Sequence, residues 1–118
     1  MLAATPFDAG MLHALLDAIP ARVVAIARGH RFLFVNAEAL DFLNLRPAQI
    51  VGRHIADVLG PAYERYLPLH ERIFERREAF RTEGWIDYPV IGRRYVQEHF
   101  FPHAPGGGAV LAAFVFVR

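Results

Sequence analysis

The nine residues from Ala109 to Val117 contain no polar side chain at either parity. Successive side chains of a strand point to opposite faces, so a strand built from this run is apolar on both and needs cover on both. That demand selects a sheet packed inside a layered domain, with helices over one face and an N-terminal helix or a second subunit over the other. Taken as a helix, the segment has about half the length needed to cross a bilayer. The N-terminus also lacks the basic-then-apolar pattern of a signal peptide. The expectation is a cytoplasmic protein with no membrane insertion.

With 118 residues, 54% of them hydrophobic, the chain has material for one core and not for two. We read a loose lead-in over residues 1–10 and a single domain over 11–118. Met11, Leu12, Leu15, Leu16 and Ile19 fall on one face of a short amphipathic helix that Pro20 ends. Val23–Ala27 and Arg31–Val35 form a predicted hairpin around Gly29. Asn36 stands where a strand meets a helix, and its side chain can accept from the free N–H groups of the first turn of Ala37–Leu45. Ile55–Leu59 makes another short helix, and Pro61–Glu78 a longer one in which Pro68 either kinks the element or begins its longer half. Three strands follow: Ala79–Tyr88, Arg94–His103 and Ala109–Val117. Strands interrupted by a block of helices argue for an α+β fold with an antiparallel sheet of about five strands.

Composition removes whole function classes. Thirteen basic against twelve acidic residues leave a net charge of +1, without the positive field that direct nucleic-acid binding draws on. No cysteine is present, which rules out disulfides, thiolate metal sites, a cysteine nucleophile and any flavin held through a cysteine adduct. Serine is absent too, and Gly106-Gly107-Gly108 precedes a strand rather than a helix, so it is a hairpin loop and not a phosphate cradle. His99 and His103 share a parity, but four positions along a strand separate them by roughly 13 Å, too far to share one ion. His13, His30 and His54 read as surface residues on a helix flank, a turn and a loop.

Three segments in this order resemble the PAS family of bacterial sensory modules found upstream of kinases, cyclases and transcription regulators. Phe34-Val35-Asn36-Ala37-Glu38-Ala39-Leu40 is similar to the family's second strand running into its first helix. Gln49-Ile50-Val51-Gly52-Arg53-His54-Ile55 resembles its I-V-G-R stretch, and Tyr95–His103 with the glycine loop and last strand resembles its closing hairpin. The similarity spans about residues 12–118. It implies a PAS-like fold: five antiparallel strands, short helices and one longer helix on one face, and an N-terminal cap helix on the other. It also implies a sensory role without catalysis, a small-molecule ligand between sheet and long helix, a homodimer, and an output domain in a longer chain, for instance in a two-component system or a transcription regulator. Members often continue into an Asp-Ile-Thr motif, whereas this sequence stops at Arg118.

The candidate ligand-binding residues are Phe42, Tyr66, His70, Phe74, Trp85, Val96, Glu98 and Phe100. The aromatic ones can line an apolar pocket or simply fill the core. His70 lies on the apolar stripe of the long helix, four residues after Tyr66 and four before Phe74. It is either a core histidine or, as the resemblance allows, a haem ligand; no other metal site is expected, and non-covalent flavin is the other cofactor the family admits. Glu98 points inward if Val96 and Phe100 do, and outward if Tyr95, Gln97 and Phe101 do. An exposed or edge glutamate is the plainer assignment, while the resemblance favours the inward one. Two other functions compete with the sensor: a ligand-free dimerisation or interaction module, and a small α+β enzyme using Glu98 or Asp87 as general base with Tyr66 as acid.

Overall fold

A computed structural model of the chain describes residues 8–118. The first seven positions of the expected lead-in lie outside the described residues; its last two belong to a helix, α1 (Ala9–Ala18), capped by the Asp8 carboxylate accepting from Met11 N at 2.9 Å. Then follow β1 (Arg22–Ala27), β2 (Phe32–Val35), α2 (Ala37–Leu43), α3 (Ile55–Leu59), α4 (Tyr66–Phe74), β3 (Phe80–Tyr88), β4 (Gly92–His103) and β5 (Ala112–Val117). Among the described residues no helix is long and apolar enough to cross a membrane.

The element expected over Pro61–Glu78 is two pieces, a 3-10 stretch at Gly60–Arg65 and then α4. Pro68 is the third residue of α4, in the first turn, where its missing N–H has no intrahelical partner to lose. The β1–β2 hairpin turns at Gly29 and His30, the latter at a positive φ of 63°. Asn36 caps α2, and Asn44 closes it in the left-handed region at φ 56°.

All strands pair antiparallel in the order β2-β1-β5-β4-β3. The registers Val24↔Val115, Val115↔Phe100 and Phe100↔Phe80 put one parity on a common inner face. These residues join Ile26, Phe32, Ile50, Ile55, Tyr66, Ile73 and Phe74 in the core beneath α2, α3 and α4. The opposite parity, through Phe34↔Ala25, Ala25↔Phe114 and Phe114↔Phe101, forms the outer face.

Among the described residues, α1 meets the outer face at its β2 edge. There the His13 ring packs edge-on against Phe34 with centroids 5.1 Å apart, and the Leu16 carbonyl accepts from Asn36 Nδ2. No residue of α1 is buried, and Met11, Leu12 and Leu15 stay exposed. Trp85, Tyr95, Phe114 and Phe116 are likewise exposed. Among the described residues, the inner face of the apolar last strand is covered, while Phe114 and Phe116 on its outer face stay exposed.

Candidate functional site

Between the inner face of the sheet and α2, α3 and α4 lies a cavity of about 70 Å³. Five of the eight candidate residues line it: Phe42, Tyr66, His70, Glu98 and Phe100. Phe74 and Val96 are buried in the core but do not reach the wall. Trp85 does not belong to the site. It pairs with Tyr95, one position out of phase with Val96, so its ring stands on the outer face and is 59% exposed.

At one end of the cavity is Glu98, 3% exposed, on the inward parity of β4. Its Oε1 accepts from Arg65 Nη1 at 2.9 Å and its Oε2 from Tyr66 Oη at 2.7 Å. Arg65 arrives from the 3-10 stretch just before α4 and Tyr66 from the first position of α4, so one short junction supplies both partners. Burial raises the carboxyl's pKa, while the Tyr66 hydroxyl and the Arg65 charge oppose the rise. Burial and the Glu98 charge hold Tyr66 well above its ordinary range, and the same two causes push Tyr88 up to about 12. Glu98→Gln keeps the shape and the Tyr66 bond but loses the ionic character of the Arg65 bond. Because Arg65 is partly solvated, we expect the variant to be less stable by about 1 kcal/mol, read from the urea midpoint; an unchanged midpoint would show that the ion pair adds nothing.

A second polar cluster involves His70, on α4, which is 2% exposed and whose Nδ1 has no hydrogen-bond partner among the described residues. The His30 ring stands edge-on 4.5 Å away, and His54 lies 5.9 Å beyond His30. His30 Nδ1 and Tyr63 Oη are 2.6 Å apart, and His54 Nδ1 accepts from Ala56 N, capping α3. His30 and His54 are thus half-buried members of a cluster, not the free surface residues their turn and loop positions suggested. Burial first, then the neighbouring imidazoles, lower His70 to about 4, and burial with His54 also lowers His30. No group of three or more His, Asp or Glu side chains is placed to hold a metal ion among the described residues. His99 and His103 face the other way, packing on Phe101 and Phe114.

The space decides against large cofactors. Pockets for drug-sized ligands measure roughly 300–1,000 Å³, and haem and flavin are at least that large. Neither fits a cavity of about 70 Å³, although His70 faces it.

Of the two acid–base pairs an enzyme could use, Glu98 with Tyr66 is in hydrogen-bond contact and Asp87 with Tyr66 is not. Asp87 sits on the outer face opposite Arg93, on the far side of the sheet from Tyr66, so that acid–base pair is not formed. Sequence reasoning passed over Arg22, which lines the cavity from the first position of β1. Its signal was parity: Arg22, Val24 and Ile26 alternate onto one face.

No curated protein matches the chain. Among solved structures, the PAS domain of Bordetella pertussis BvgS is similar at 21% identity and a TM-score of 0.73, over 92% of this chain and 82% of that one. The PAS domain of an HTR-like protein from Haloarcula marismortui gives 17% and 0.72, over 92% and 88%. A sensory box sensor histidine kinase from Vibrio cholerae gives 13% and 0.72, over 92% and 87%. At these identities the likeness is one of fold: helices on the inner face of a five-stranded antiparallel sheet, as built up above. The family model for the PAS fold matches residues 10–118, from the second residue of α1 to the end of the chain, and the protein accordingly belongs to the PAS family.

Proposed function

We propose that the domain is a cytoplasmic sensory module that binds a small molecule in the cavity and passes its presence to an output domain of a longer chain through a homodimer. The observation that carries this reading is the Arg65–Glu98–Tyr66 set at the cavity wall. Ligand contacts there act directly on β4, and Glu98 pairs with Val117 near the end of β5. The next rung is closed by Gln97 N to Arg118 O at 3.0 Å and Arg118 N to Gln97 O at 2.8 Å. A ligand that distinguishes two positions of Glu98 thus biases the last strand, and with it whatever follows the strand. A sensor histidine kinase among the structural neighbours agrees with such an output.

Native mass spectrometry and an absorbance spectrum of protein purified without added cofactor test the proposal. The expected result is a colourless protein carrying a small organic mass. A violet band abolished in His70→Ala would return haem to the site, and bare protein whose stability no small molecule changes would end the ligand reading.

The outer face favours a second reading, a ligand-free dimerisation module. Trp85, Tyr95, Phe114, Phe116 and the apolar side of α1 are exposed apolar groups of the kind found at interfaces. Both readings expect a dimer. Introducing a charge with Trp85→Glu should weaken dimerisation at least tenfold in sedimentation equilibrium while leaving folding intact, because the ring is exposed. An unchanged dimer constant would move the interface elsewhere.

A further inference from the structure

The cavity has a charge that nothing among the described residues matches. Arg22 stands on the inward parity of β1 with Val24 and Ile26, and all three line the cavity. Its guanidinium lies 3.8 Å over the Phe42 ring and is half-buried. Among the described residues it has neither an ion pair nor a side-chain hydrogen bond, whereas Arg65, the other cation near the site, is matched by Glu98. Two cations and one carboxylate leave the site one positive charge in excess. A cationic ligand would meet that charge unscreened, and a dianion would carry a second charge into walls made of Val24, Ile26, Phe32, Leu59 and Val115.

Shape narrows the choice. An engineered cavity of about 150 Å³ accepts benzene, so a space of about 70 Å³ takes only a few carbons. A guanidinium fork matches a carboxylate with two parallel hydrogen bonds, and stacking on Phe42 holds the fork flat without using its N–H groups. The Tyr88 ring, also lining the cavity, packs edge-on against Phe42, 5.3 Å away.

Building on the sensory reading above, we propose that the ligand is a short monocarboxylate, its carboxylate held by Arg22 at the rim and its chain of about two or three carbons in the apolar part of the cavity. The assignment explains why an arginine on the same parity of β1 as the core residues Val24 and Ile26 lines the cavity without a partner among the described residues.

The test titrates the 118-residue chain with butyrate, 1-butanol and butylamine, following thermal stability and isothermal calorimetry, in wild type, Arg22→Met and Arg22→Lys. Circular dichroism checks that the variants fold, and Met keeps the apolar packing on Phe42. Butyrate should raise the melting temperature while butanol and butylamine do not. Its affinity should fall at least tenfold in Arg22→Met and recover in part in Arg22→Lys. Butanol binding as tightly as butyrate, or undiminished butyrate binding in Arg22→Met, overturns the carboxylate assignment and leaves the cavity reading standing. If no probe binds and native mass spectrometry shows no retained molecule, both fail together.

Discussion

Asn36→Ala should remove about 4 kcal/mol of stability, a large share of the roughly 5–15 kcal/mol that holds a domain of this size. Asn36 is 0% exposed and all its polar capacity is used. Oδ1 accepts from Val23 N at 2.9 Å and Ala39 N at 3.1 Å, and Nδ2 donates to Ala21 O at 2.7 Å and Leu16 O at 2.9 Å. The residue ties α1, the start of β1 and the first turn of α2 into one joint. Alanine removes the helix cap, which costs about 1 kcal/mol by itself. It also strands the buried Val23 N–H and frees two carbonyls, and each unpaired buried group costs about 1–3 kcal/mol. Asn36→Asp restores the acceptor but turns a carboxylate oxygen toward two carbonyls, so it should recover only part of the loss. Urea unfolding followed by far-ultraviolet dichroism measures both variants; a loss below about 1 kcal/mol for alanine would mean that water replaces the joint.

Acid should destabilise the protein through His70 by about 3 kcal/mol between pH 6.5 and pH 4. The folded-state pKa is depressed to about 4 from an ordinary 6.5, so in this window the unfolded chain binds the proton and the folded chain does not. Stability is therefore complete above pH 6.5 and falls with pH until the folded imidazole itself protonates; each pH unit is worth about 1.4 kcal/mol. Burial is the main cause of the depression, and the imidazoles of His30 and His54 add to it. His30 from the hairpin turn stands against the ring, His54 lies behind His30, and Tyr66 and Phe74 flank it on α4. His30, lowered as well, adds in the same sense, while Glu98, raised by burial, works against it because its folded form takes up a proton more readily than its unfolded one. Chemical denaturation from pH 7.5 to 4 should give the falling curve in wild type and a much flatter one in His70→Phe. Equal slopes in the two proteins would assign the acid sensitivity to other groups.

Much of the fold was legible because it rests on local signals. Asn36 as a cap, the helix over Ile55–Leu59 and the three closing strands all follow from side-chain type and spacing within a few residues. The site was legible in part. Phe42, Tyr66, His70, Glu98 and Phe100 line the cavity, while Trp85 was assigned by residue type when its parity, opposite to that of Val96, pointed the other way.

What the amino-acid sequence determined by itself was therefore the alphabet of elements and the alternation within each strand, since both depend on backbone preferences and on neighbours close in the chain. Which parity faces the helices was decided by the sheet: β4 is pinned between β3 and β5, and that register turns Glu98 inward to Arg65 and Tyr66. The fourfold role of Asn36, the meeting of His30, His54 and His70, and the unmatched charge of Arg22 also belong to the tertiary structure alone. Each joins groups from separate elements, and their energies come from burial and from charges at close range, which exist only once the chain has closed around them.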